Sequence, residues 1–266
     1  MEIQEIKVPG GRNIRDLGQY ITTDGKKMKK GVLIRSARLD KMKPKNRNKF
    51  LESYNINTVI DFRNDIEIKE GNEVILDNKI NHLHIPILSK AFFGISHEKK
   101  MSKATYKQSK ENKDPLYIRN YMVNMYKDIV FSEYSQEKFK EFFDVILNSN
   151  GPVLYHCTGG KDRTGLATVM LLAILGIDDE IILKDFAFIN EVNRKKIEYM
   201  CAEASKYTQD NAELKQVEAL AGVYSPYMQK VFDRAKAESG SILSFIQEKL
   251  GLTNQEIICL REKFLE

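Results

Sequence analysis

The chain has few cysteines, and they stand far apart at Cys157, Cys201 and Cys259. That spacing excludes a disulfide-stapled scaffold and any CxxC metal pair. No apolar run approaches the length of a membrane span, and "LATVMLLAILG" has the length of a core helix. The opening residues, "MEIQEIKVPGGRN", lack an apolar targeting core and a small-residue cleavage site, so a cytoplasmic setting is expected. Repeats and low-complexity tracts are absent too. With 42% hydrophobic residues, the expectation is one well-cored domain over residues 1–266.

Charge of one sign is abundant in one place. Residues 26–49 hold eleven Lys/Arg against a single acid, Asp40. Such a stripe suits nucleic acid, anionic lipid or a phosphorylated substrate, and it also suits a solvated face. The segment has no interleaved aromatic platform, which argues against a nucleic-acid partner.

The pattern of elements is mixed. "QYITTDGKKMKKGVLIRSA" reads as a β-hairpin turning at Asp24-Gly25, with "GVLIRS" as a strand. "INTVIDFR" reads as a buried strand whose carboxyl end carries Asp61 and Arg63, and "INHLHIPI" as another strand. "KPKNRNKFLESYN", "LYIRNYMVNMYKDIV" and "EKFKEFFDVILNS" are helical. After the last of these strands lies a stretch, 89–114, with no sustained period. A loop of that length is usually functional, and 89–127 is expected to form a helical lid. "GPVLYHC" is a strand, and everything after Arg163 is helical. Gly176 and Asp178 punctuate two helices, and Thr253 with Glu256 opens the last as a capping box. The fold class expected is α/β: a mostly parallel sheet flanked by helices, with an N-terminal hairpin and a helical C-terminal part.

The segment "YHCTGGKDRTGLATVMLLAILG" carries the chemistry. A thiol is a nucleophile as a thiolate, and a helix N-terminus favours the anion through unpaired N–H groups and the helix dipole. The same groups bind a phosphoryl dianion. Gly159 and Gly160 let the backbone curl around such an anion, and Arg163 offers two parallel donors. Cys157 to Arg163 therefore describes a phosphate cradle with a nucleophile at its base, giving a thiophosphate intermediate. A Walker loop is excluded, because Asp162 rather than Ser or Thr follows Lys161.

"HCTGGKDRTG" resembles the His-Cys-x5-Arg-Thr signature of cysteine-based phosphatases, specifically the bacterial atypical tyrosine and phosphoinositide phosphatases. "NIRDLGQY", "VIDFRNDIE", "KDFAFINE" and "LGLTNQEIICLRE" are similar to further segments of that family, so the resemblance spans nearly the whole chain. The resemblance implies a cysteine-phosphatase fold, no cofactor and no metal. Cys157 would be the nucleophile, with Thr158, Gly159, Gly160, Lys161 and Arg163 holding the phosphoryl group. His156 would orient the loop and help ionise the sulfur, and Thr164 would donate its hydroxyl to it. The chain has no tryptophan, so the Trp-Pro-Asp loop that supplies the general acid in many cysteine phosphatases is absent. The family resemblance points to Asp162 instead, and Asp114 or Asp128 upstream is the alternative. Asp61 and Arg63, like Arg15 and Asp16, either support the loop and substrate or form structural ion pairs.

The function expected is a phosphomonoesterase acting on phosphotyrosine, with phosphoserine/threonine and phosphoinositides as further substrates and with phosphate or sulfate binding at the loop. Inositol phosphates or another small phosphorylated metabolite are the alternative substrates. An inactive phosphate-binding module is the reading of a different class.

Overall fold

The computed structural model describes residues 3–18, 20–71, 74, 76–89, 117–223 and 225–266. A five-stranded sheet forms the centre: β1 (Arg15–Asp16), β2 (Leu33–Ser36), β3 (Thr58–Asp61), β4 (Asn81–His84) and β5 (Val153–His156), in the order β1-β2-β5-β3-β4. Strands β2, β5, β3 and β4 run parallel, and β1 is an antiparallel edge. The last strand in sequence thus sits in the middle, with Tyr155 opposite both Arg35 and Ile60.

Alternation along each strand assigns its side chains to two faces. Ile34, Val59 and Leu154 point to one face and join Phe50 and Leu51 of α1 (Pro44–Ser53). Leu33, Ile60, Val153 and Tyr155 point to the other and meet the larger core. Arg35 shares that second face by register, which puts a charged side chain beneath a packed layer. Short helix α2 (Asp65–Lys69) follows β3 and opens with a capping box between Asn64 and Glu67.

The larger face is covered by α3 (Tyr117–Phe131), α4 (Glu133–Asn148) and α5 (Asp162–Leu175). The C-terminal part then adds α6 (Asp179–Ala187), α7 (Ile189–Ser205), α8 (Asn211–Ala221), α9 (Ser225–Ser239), α10 (Ile242–Leu250) and α11 (Asn254–Phe264). Helix α5 is buried along nearly its whole length because it lies between β5 and helices α3, α6, α10 and α11. It stops at Gly176, which takes the left-handed conformation at φ +83°. Asp178 caps α6, and Thr253 with Glu256 forms the capping box of α11, as expected. No helix among the described residues is long and apolar enough to cross a membrane.

Two expectations need correction. Asp24-Gly25 does make the turn, closed by Thr22 N–H to the Lys26 carbonyl at 2.9 Å, but it leads to a single bridge, Ile21 to Lys27. The strand beside β2 is β1 instead, and Met28 pairs with Leu265 at the far end of the chain. The basic stripe is also not one face. Arg35 and Arg47 are buried, and Lys29 donates to the carbonyls of Glu262 and Lys263 at the end of α11. Asp40 is buried too, and accepts from Arg38. Of the expected lid, residues 90–116 lie outside the described residues. Its last part is the start of α3, whose inner face carries Met122, Val123, Met125 and Tyr126 into the core.

Candidate active site

The central strand β5 ends at His156 and α5 begins at Asp162, so residues 157–161 form a loop between a strand's carboxyl end and a helix N-terminus. Open parallel sheets bind their ligands at this place. Cys157 is buried, and Gly160 has φ +63°. A Cβ at Gly160 would lie 2.6 Å from the Ser36 carbonyl oxygen, so both the angle and the close approach require glycine. The Gly160 carbonyl accepts from Asn13 Nδ2 at 2.6 Å and Arg35 Nη2 at 2.8 Å.

Arg163 is fully buried in the first turn of α5. Its Nη1 and Nη2 donate to Oε2 and Oε1 of Glu67 at 2.5 and 2.6 Å, and Nη1 also reaches the Phe62 carbonyl at 3.3 Å. Nε has no hydrogen-bond partner among the described residues. A guanidinium has five N–H groups. With its end engaged by Glu67, the Nε–H and the adjacent Nη2–H remain as one planar, parallel pair. Burial opposes the charge on Arg163, but Glu67 outweighs it, and the Cys157 and Asp162 charges add to that, so the pKa rises.

Glu67 does three things at once. Its Oε2 accepts the Asn64 N–H as the capping box of α2, its two oxygens hold Arg163, and Oε1 accepts from the Thr158 hydroxyl. Burial alone would raise its pKa; Arg163 and Thr158 reverse that and leave it lowered. Thr158 also accepts the Arg38 N–H on its carbonyl at 3.2 Å.

Asp162 is buried. Tyr126 on α3 donates to its Oδ1 at 2.6 Å, and Lys161 Nζ lies 3.7 Å from Oδ2. Asp128, two residues after Tyr126, is exposed on α3. Asp114 lies outside the described residues.

His156 faces Asp61 Oδ1 at 3.7 Å and the Cys157 carbonyl at 3.3 Å. Burial lowers its pKa below the usual 6.5, so the ring is neutral at neutral pH. Its contribution is bracing rather than positive charge beside the sulfur. Asp61 is closed by Arg63, whose Nε, Nη2 and backbone N–H all donate to it at 2.6–3.0 Å. Asp61 and Arg63 thus form an ion pair behind His156. Thr164 is buried, and its hydroxyl has no hydrogen-bond partner among the described residues, so the expected bond to the Cys157 sulfur is not made.

On the opposite side of the loop a second carboxylate, Asp185 on α6, organises residues that spacing alone did not single out. Arg15 Nη1 donates to its Oδ1 at 2.7 Å, Arg35 Nη1 to its Oδ2 at 2.9 Å, and the Tyr20 hydroxyl also donates to Oδ1. All of these groups are buried. Burial and Arg35 bring the Arg15 pKa down to about 10, against the pull of Asp185. Asp16 is separate: it accepts the Gly18 and Gly31 N–H groups and shapes the turn before β2. Glu67, Asp185, Asn13 and Arg35 each sit in segments quoted above as similar to a family or read as a strand, yet none had a role of its own. Tyr126 had no sequence signal beyond its place on an apolar helix face.

A 181-residue stretch is 28% identical to a Cupriavidus necator protein bearing a tyrosine-protein phosphatase name, covering 68% of this chain and 61% of that one. A tyrosine-protein phosphatase of Nostoc commune is 40% identical over 55 residues, 20% of this chain and 19% of its own length. The triple specificity protein phosphatase PtpB of Mycobacterium tuberculosis is 39% identical over 46 residues, 17% of each chain. The chain thus spans less than two thirds of the length of the curated relatives it matches. The model of the tyrosine phosphatase family matches residues 6–266, a span that takes in the cysteine loop, Glu67 and Asp185 alike, and the chain belongs to that family.

Proposed function

We propose that the chain is a phosphomonoester hydrolase that removes phosphate from phosphotyrosine through a cysteinyl-phosphate intermediate. The observation that carries this is the edge of Arg163: Glu67 engages the end of the guanidinium and leaves a parallel Nε–H and Nη2–H pair on the residue six positions after Cys157, just past the loop that Cys157 opens. That pair matches two phosphoryl oxygens, and the α5 N–H groups match a third. In the first step the Cys157 sulfur bonds phosphorus, the ester P–O bond breaks and Asp162 gives its proton to the departing oxygen. In the second, a water oxygen bonds phosphorus, Asp162 takes the water proton and the S–P bond breaks. Arg163 opposes the charge spread over the oxygens in both steps. Asp162 is favoured as the acid over Asp128 because Asp162 is buried at the start of α5, next to the loop, and Asp128 is exposed.

Phosphoserine/threonine and phosphoinositides are further proposed substrates, and buried Lys161 adds positive charge suited to groups with more than one phosphate. The experiment is a panel of phosphopeptides, phosphoinositides and inositol phosphates compared by kcat/KM, with Cys157→Ser as control. The hydroxyl of serine does not ionise here, so turnover is expected to vanish while vanadate binding persists. Substantial residual turnover in Cys157→Ser would sink the thiolate mechanism. Preference for inositol phosphates would turn the substrate assignment to small metabolites. Binding without turnover by the parent would leave an inactive module.

A further inference from the structure

Helix α3 brings a polar atom to an apolar contact. Tyr126 is fully buried on the face it shares with Met122, Met125 and Ile129, and its hydroxyl donates to Oδ1 of Asp162 at 2.6 Å. Its ring meets Phe186 of α6 edge-on, with centroids 5.8 Å apart. Phe186 lies in turn against Gly165, where a Cβ would come within 3.0 Å of its ring. The ring of Tyr126 is therefore held by two helices while its hydroxyl meets the third.

The charges around Asp162 narrow what that hydroxyl does. Lys161 Nζ is 3.7 Å from Oδ2, and Arg163 follows in the chain with its own end engaged by Glu67. Asp185 of α6 is engaged by Arg15, Arg35 and Tyr20. On α3, Asp128 is exposed and Lys127 half-buried. The two oxygens of Asp162 thus differ: one faces a hydroxyl donor, the other an ammonium.

We infer that Tyr126 is a positioning residue that fixes which oxygen of Asp162 carries the transferable proton. The inference rests on Asp162 being the general acid. A proton on Oδ1 would compete with the Tyr126 hydroxyl for the same oxygen, so the proton resides on Oδ2. In the first step the Oδ2–H bond breaks and that proton goes to the ester oxygen as its bond to phosphorus breaks. In the second step a proton from water returns to Oδ2 as the water oxygen bonds phosphorus and the S–P bond breaks. Tyr126 keeps its own proton throughout. Its hydrogen bond favours the carboxylate over the carboxyl form, so removing it favours the protonated form.

The test compares phenyl phosphate, a poor leaving group, with nitrophenyl phosphate, a good one, over a pH series for four proteins: parent, Tyr126→Phe, Asp162→Asn and the double variant. Tyr126→Phe is expected to lose about tenfold in kcat on phenyl phosphate, a fraction of what a general acid supplies. The loss on nitrophenyl phosphate should be under about threefold on the same scale, with KM unchanged. Its basic pH limb should move up by on the order of one unit, the scale of one hydrogen bond to a carboxylate. In the Asp162→Asn background Tyr126→Phe should add nothing. Equal losses on both esters with an unmoved limb, while Asp162→Asn stays selective for phenyl phosphate, overturn the role of Tyr126 and leave Asp162 standing. An Asp162→Asn that treats both esters alike overturns the acid assignment and this inference with it. A meta-fluorotyrosine at position 126 keeps the ring and strengthens the donor, so its limb should move down. A limb that stays put in that protein contradicts the inference even if Tyr126→Phe fails to fold.

Discussion

On the β3 side of the cysteine loop one carboxylate, Glu67, grips one arginine, Arg163; on the β1 side one carboxylate, Asp185, grips two, Arg15 and Arg35. The first group is neutral as a pair. The second keeps a net positive charge, because Tyr20 is held in its neutral form by burial and by Asp185. The first ties α2 to the start of α5 and leaves the Arg163 Nε–H without a partner among the described residues. The second touches the loop through the Gly160 carbonyl, by way of Arg35. Two similar carboxylates are therefore placed differently: Asp185 holds the arginine that bonds the Gly160 carbonyl, and Glu67 holds the end of Arg163, the group that meets phosphate in the proposed mechanism.

The largest expected effect comes from breaking the frame. Asp185→Asn leaves two buried guanidinium groups without a counter-charge, and stability should fall by about 3–5 kcal/mol. Urea unfolding measures it, and a loss under about 1 kcal/mol would mean the cluster is solvated, because surface pairs contribute on that scale. Arg163→Lys should do the reverse, sparing the fold and damaging turnover. Lysine can still pair with Glu67, but it offers no planar edge. Its kcat/KM should fall about 10²–10³-fold, the scale of one lost donor to transition-state charge. A fall under about fivefold on that scale would remove Arg163 as the phosphoryl clamp.

A smaller effect tests the bracing behind His156. Burial opposes ionisation of Asp61, and the His156 ring, once protonated in acid, and the Arg63 guanidinium outweigh it, bringing its pKa from an ordinary 3.8 down to about 2. The folded value lies below the unfolded one, so this stabilisation is complete above 3.8 and is lost as pH falls through about 2. At about 1.4 kcal/mol per unit it amounts to about 2–3 kcal/mol. Asp61→Asn should be less stable at neutral pH and show a flatter decline in urea midpoint through this acid window. A slope equal to the parent's would assign the acid sensitivity to other carboxylates, Glu67 first among them.

What the sequence made legible follows the range of each interaction. The strand, loop and helix around Cys157 are continuous in the chain, so local rules for turns and helix ends apply. Asp178, Gly176 and Thr253 act within three or four residues and could be read from spacing. The Asp24-Gly25 turn was legible for the same reason. Its strand pairing was not, because β2 chooses β1 through register rather than through that turn. Arg35 and Asp185 are 150 residues apart, and no periodicity links them. Charge along the chain does not show which basic side chains share a surface, and strand alternation sends Arg35 inward. Tyr126 was invisible because a tyrosine on an apolar helix face packs like a phenylalanine until its hydroxyl partner is known.

The central claim is that Cys157 forms a bond to phosphorus while Arg163 holds the oxygens. The direct measurement is acid quenching during turnover of a phosphotyrosine peptide, followed by digestion and mass analysis. The peptide bearing Cys157 should carry the mass of one phosphoryl group, lost on treatment that cleaves thiophosphates and absent from Cys157→Ser. Phosphoryl mass on another residue, or steady turnover by Cys157→Ser with no labelled cysteine, would contradict the account.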